Sequence, residues 1–233
     1  MTPRRRPPNA ARAIAGARIG AAAVCIAVLG YAYALRVSVG DGSAFDFFGY
    51  FTNQTSLLTS VVLMGTGAIA LRGRRVPDWL STARGIAVAC LVVVALVYNL
   101  LVPGTGSAPP WVSALLHLVF PVAVVLDWML VADRPALPWR RLWLVLPYPI
   151  AWLVVVLARG VTDGWVPYGF LLLERGLPSL VAHVVGLLAA LLAAGALVWA
   201  ASRLRVFTIA DAGPPTAVPS ALPAPSSARM PRG

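Results

Sequence analysis

The chain has 233 residues, 59% of them hydrophobic and only 12% charged, with a mean hydropathy of +0.81. A soluble domain carries about a quarter charged residues, so this composition excludes an ordinary soluble fold. The net charge of +11 resembles that of a nucleic-acid binder. Here, however, the cations punctuate long apolar runs, which argues for a membrane protein and against nucleic acid as a partner.

A basic, proline-containing tail over residues 1–13 comes first. Six apolar runs follow, at 19–35, 47–71, 83–102, 111–131, 141–157 and 178–200. Each is near the ~20 residues a helix needs to cross hydrocarbon. The connections are short, so the reading is all-α: one polytopic bundle of six transmembrane helices over 14–205. Gly16 and Gly20 form a small-xxx-small packing motif at the edge of the first run. Arg4–Arg6 with Ala32-Tyr33-Ala34 resembles a cleavable signal peptide, but the later arginine pattern fits an uncleaved span. In the second run Thr52, Thr55, Ser56 and Thr59 share a helix face, and helix packing is the expected role of the last three. Cys25 and Cys90 fall inside spans and are expected to behave as small apolar residues. Proline at 109–110 suits the start of span four, and Pro138 and Pro147 predict a kinked fifth span. The loop over 160–177 carries Trp165, Tyr168 and Phe170, which suit a membrane–water boundary. The Pro/Ala/Ser-rich tail over 206–233 is expected to be disordered.

Every basic residue is arginine, and sixteen of the nineteen fall on one side, in or next to the two tails and the second–third and fourth–fifth connections. Only Arg36, Arg159 and Arg175 lie on the other side. The positive-inside rule then puts both termini in the cytoplasm. The arginine-only, alanine-rich usage points to a multi-pass protein of a bacterial plasma membrane, in contact with anionic lipid.

With that topology the polar side chains gather in one outer layer. Thr52, Asn53 and Gln54 come from span two, Tyr98 and Asn99 from span three, His117 from span four, Arg159 from span five and His183 from span six. Polar groups inside spans are expensive and tend to mark sites. Asp127, near the other end of span four, is expected to pair with Arg134 or Arg140. A threonine hydroxyl becomes a nucleophile when a base lies within about 2.6–3.2 Å, and histidine is the usual base. Asn53, Gln54, Asn99 or Arg159 would supply donors to an oxyanion.

The runs Gly49-Tyr50-Phe51-Thr52-Asn53-Gln54-Thr55-Ser56-Leu57-Leu58, His117-Leu118-Val119-Phe120-Pro121 on to Asp127-Trp128, Tyr148-Pro149 on to Arg159-Gly160, and Trp165 to Leu171 form an ordered set. This set resembles a signature of the bacterial six-span membrane family called Pr-six-Pr, over roughly residues 45–175. More remotely it is similar to the eukaryotic androgen-induced membrane proteins. Those are six-span hydrolases of fatty acid esters of hydroxy fatty acids that use a threonine and a histidine. The resemblance implies Thr52 as nucleophile, His117 as base and ester hydrolysis without metal or cofactor. The loop departs from the family pattern: Gly169 and Leu172 stand where a second proline and an acid are expected.

The leading reading is therefore a lipid-ester hydrolase. Thr52 and His117 would be catalytic, and Asn53, Gln54, Asn99, Arg159, Tyr168 and His183 would bind substrate. The partners would be membrane lipids and a lipid ester. The alternatives are a non-catalytic lipid-binding, transport or assembly protein and, less favoured, a haem held by His117 and His183.

Overall fold

The computed structural model describes residues 9–106 and 108–204, so the tail expected to be disordered lies outside the described residues. Six helices are long and apolar enough to cross a membrane, and no strand occurs among the described residues. Hydrocarbon offers the backbone no hydrogen-bonding partners, and a helix satisfies its own. The chain is an integral membrane protein of six spans.

Span one is α1 (Asn9–Ser38), and it begins ten residues earlier than the apolar run. Alanine-rich sequence after Asn9 carries the helix into the expected tail. Span two is preceded by a short helix, α2 (Ala44–Gly49), and is itself α3 (Phe51–Leu71). The apolar run read as continuous from residue 47 thus breaks at Tyr50, which is extended at φ −68° and ψ 125°. Ser43 caps α2 by accepting from the Asp46 N–H at 3.2 Å. The Gly49 carbonyl accepts from the Trp152 indole at 2.8 Å, and a Cβ on Gly49 would collide with the Trp165 ring. Two aromatic residues from span five and the loop beyond it therefore hold the break.

Span three is α4 (Asp78–Leu101), the most enclosed of the six spans. Span four joins α5 (Pro110–Ala114), a π-helical turn (Leu115–Val119) and α6 (Phe120–Leu130). Span five starts as a 3₁₀ segment (Trp139–Val145) and becomes α7 (Pro147–Thr162), so the helix changes type at Pro147, where the sequence predicts a kink. Two 3₁₀ turns (Gly169–Leu171 and Leu173–Arg175) lead into span six, α8 (Leu177–Ala201). Helix α4 packs on α3, α6 and α8, and α1 lies along α3. Spans five and six are the least buried and line the rim of the bundle.

Thr55, Ser56 and Thr59 are buried in the bundle, as their packing role requires. The Thr55 hydroxyl lies 3.0 Å from the Tyr148 hydroxyl, which links spans two and five. Gly16 and Gly20 face open space, so they bring no helix close. The close approach of α1 and α3 is made by Gly67, where a Cβ would stand 2.8 Å from the Ala15 carbonyl oxygen. Gly67→Leu is expected to cost about 1–3 kcal/mol by forcing the two helices apart. Gly16→Leu should leave stability unchanged, and thermal unfolding of both variants in detergent checks this.

At the arginine-rich end, ionic groups cross-link three spans. Arg18 of α1 pairs with Asp127 at 2.9 Å and with Asp133, while Arg84 of α4 pairs with Asp133 at 2.7 Å. The partner of Asp127 is therefore Arg18, which the early start of α1 carries deep into the bundle. Arg134 donates to the Ala201 carbonyl at 3.0 Å and lies 4.2 Å from the Trp128 ring centre.

Candidate functional site in a cleft between spans

The local structure around His117 follows from Pro121. Proline has no N–H, so the His117 carbonyl, four residues earlier, loses its helical donor. The turn widens instead, with the Phe120 N–H bonded to the Leu115 carbonyl. Turns of this π type recur at functional sites. The vacated His117 carbonyl accepts from the Asn99 carboxamide at 3.2 Å, and the same amide also reaches the Ala95 carbonyl at 2.8 Å. The expected substrate ligand Asn99 is thus engaged in holding the histidine turn against α4.

The His117 ring is fixed on two sides. It stacks on Tyr98 with ring centres 3.5 Å apart and planes 11° from parallel. Its Nδ1 lies 2.9 Å from the Ser113 carbonyl oxygen. A carbonyl only accepts, so Nδ1 carries the proton and Nε2 of the neutral ring keeps a lone pair. This is the tautomer a general base needs.

Thr52 is the second residue of α3 and is buried. The break at Tyr50 places it in the first helical turn, where backbone N–H groups lack intrahelical partners and the helix end is positive. Tyr168, from the loop after span five, sits over this end. Burial pushes its phenol up to about 12, against the opposing effect of polar contacts with the Thr52 side chain and the backbone at Thr52 and Phe51. Tyr168 therefore remains a neutral donor at ordinary pH. Tyr50 meets the edges of Trp165 and Tyr168, with ring centres 5.8 and 5.9 Å apart.

Thr52, Tyr98, His117 and Tyr168 line one cleft of about 80 Å³. The rest of its wall is apolar and includes Val93 of α4, Leu153 of α7 and Val184, Leu187 and Leu191 of α8. From Val184 to Leu191 the wall follows α8 for about 10 Å of helix rise. The cleft is therefore an apolar slot with its polar groups at one end.

The other expected site residues do not line this cleft. Asn53 donates to the Phe47 carbonyl at 2.8 Å and so fastens α2 to α3. Gln54 is half-buried on α3. Arg159 is committed to two carboxylates, Asp46 and Asp163, each at 2.8 Å, and stacks 4.2 Å from the Trp165 ring centre. It ties α2 to the loop that carries Tyr168. His183 stacks on Phe170 at 5.6 Å, and its Nδ1 lies 2.8 Å from the Ser179 carbonyl. The two histidines thus have separate aromatic partners, and only His117 borders the cleft.

Comparison with protein-family models, with curated proteins and with solved structures finds no match.

Chemically, the cleft joins a hydroxyl, an imidazole with a free lone pair and a neutral phenol at the polar end of an apolar slot. Sequence reasoning did not assign roles to Ser113 and Tyr148. Ser113 acts through its backbone carbonyl, which no residue identity announces. Ser113 and His117 are four residues apart, as are Ser179 and His183, and that helical spacing is the one signal available.

Proposed function

We propose that this membrane protein hydrolyses lipid esters without a metal, with Thr52 as nucleophile and His117 as base. The observation that carries the reading is that Thr52 and His117, from separate spans, border the same apolar cleft. The tautomer set by Ser113 supports it, as does the resemblance of the Thr52 and His117 motifs to the androgen-induced hydrolases. In this reading His117 Nε2 takes the Thr52 Oγ proton while Oγ adds to the ester carbonyl. The oxyanion meets the N–H groups at the α3 N-terminus and the Tyr168 hydroxyl. The alcohol leaves with the proton from His117. Water, deprotonated by His117, then attacks the acyl-threonine, releases the fatty acid and restores the Thr52 hydroxyl. With both termini in the cytoplasm of a bacterium, the cleft would face the outer leaflet of the plasma membrane.

The test uses purified full-length protein, fluorogenic fatty-acyl esters and a fluorophosphonate probe. Wild type should turn over ester and accept the probe on Thr52. Thr52→Ala should lose both, and Thr52→Ser should retain labelling. Equal turnover and labelling in wild type and Thr52→Ala would overturn the reading. Lipid that copurifies in both proteins without turnover would favour a binding role.

A further inference from the structure

A second cavity of about 330 Å³ lies beside the first, and the two share only Tyr98 and His117. The stacked pair is therefore a wall between them, with the base in the wall. The walls on the two sides differ in kind. Beyond its polar end, the first cavity is bounded by aliphatic and aromatic side chains, most of them from the spans. The second is bounded by Asn99, Ser113 and the glycines Gly104 and Gly106 of the α4–α5 connection, with Ala114 and Leu118 of span four completing the wall. Asn99, Gly104, Gly106 and Pro110 are exposed, so this cavity opens to the surface beside the α4–α5 connection.

We propose that the second cavity is the subsite for the alcohol half of the ester, and that it takes a compact, hydroxylated alcohol. This inference rests on the hydrolase reading. The reason is the proton's route. The base that activates Thr52 must hand its proton to the departing alcohol oxygen, so that oxygen must lie against His117. The acyl chain fills the apolar slot on one side of the ring, which leaves the alcohol on the other. There it meets the Ser113 hydroxyl and a glycine-bearing connection, beside the short apolar groups of Ala108, Pro110 and Ala114, a wall that has a polar anchor for a polyol and no long apolar track for a second alkyl chain. The same opening lets the departing alcohol exchange with the water that attacks the acyl-threonine.

The experiment compares two esters with the same decanoyl half, one of glycerol and one of decanol, in wild type and in Gly106→Leu and Ala114→Leu. A Cβ at Gly106 meets the Ser113 Oγ at 3.9 Å, an ordinary contact, so the added side chain fills the cavity without forcing the fold. Wild type should prefer the glycerol ester by about tenfold or more in kcat/KM, on the scale of one good polar subsite. Both variants should lose that preference while the fluorophosphonate, which has no polyol half, labels Thr52 at the wild-type rate. An unchanged alcohol preference in both variants overturns the inference and leaves the hydrolase reading standing. Loss of labelling in both variants also counts against it, because the cavity would then be supporting Thr52 and not seating the alcohol. Wild-type protein that neither turns over ester nor accepts the probe overturns the hydrolase reading, and this inference falls with it.

Discussion

Replacing His117 with glutamine should lower ester turnover by about 10²- to 10⁴-fold, the usual range for a general base. Glutamine has similar bulk and can still hydrogen-bond, so the wall between the cavities remains. It cannot take a proton from Thr52. The matched control is His183→Gln. That ring also bonds a carbonyl four residues earlier and also stacks on an aromatic ring, but it does not border the cleft. Its loss should change turnover little. Turnover by purified enzyme at saturating ester, normalised to folded protein, separates the two cases. Equal losses in the two variants would mean that the histidines serve helix packing alone.

Asn99→Ala offers a finer reading of the same turn. It removes the donor to the His117 carbonyl and leaves the imidazole in place. A positioning role predicts slower labelling of Thr52 by the fluorophosphonate, which does not enter the alcohol cavity, and partial recovery in Asn99→Gln. The effect should be smaller than that of His117→Gln, because the Ser113 carbonyl still orients the ring.

Six spans were legible because hydrocarbon demands long apolar helices, and the observed ends lie within a few residues of the apolar runs for spans three, four and six. The polar layer was legible in part. Thr52, His117 and Tyr168 come together at one cleft, while Asn53 and Arg159 are spent on joining α2 to its neighbours. Their partners, a backbone carbonyl and a carboxylate on the short α2, depend on the break at Tyr50. Hydropathy cannot mark that break, because Phe47 to Phe51 is apolar on both sides of it. The packing glycine was misread for a related reason. Gly16 and Gly20 have the motif, but only the placement of α3 reveals that Gly67 makes the contact. The π turn could have been inferred, since Pro121 leaves the His117 carbonyl without its helical donor wherever the helix continues. That Asn99 would fill the gap depends on how α4 docks.

The ionic cluster at the arginine-rich end was the least legible feature, and it carries the largest stability prediction. Arg18 meets Asp127 and Asp133 across 109 and 115 residues of sequence, a distance over which no local pattern operates. Arg18 and Arg84 are 4% and 1% exposed, so their charges depend on these carboxylates. Asp133→Ala should therefore destabilise the protein by about 3–5 kcal/mol, the cost of stranding a buried charge, and lower its unfolding temperature in detergent. Asp78→Ala is the control: its pair with Arg75, at 3.9 Å between exposed side chains, should count for little. Adding Arg84→Met to Asp133→Ala should recover part of the loss, because it removes one stranded guanidinium, whereas simple loss of packing would not be recovered. The same cluster sets a pH response. Burial alone would raise the Asp133 carboxyl, but Arg84 and Arg18 outweigh it and hold it well below the usual carboxylate range. A carboxyl depressed in the folded state stabilises fully above its unfolded pKa of about 3.9 and loses that contribution as pH falls toward its folded value. Wild type should accordingly lose stability on acidification below about pH 4, and Asp133→Ala should show a shallower loss over the same interval. Because Arg18, Arg84 and the Asp127–Asp133 stretch belong to spans one, three and four, the cluster also anchors the two helices that carry Tyr98 and His117. Weakening it should therefore reduce turnover as well as stability, although the cluster lies at the opposite end of the bundle from the cleft.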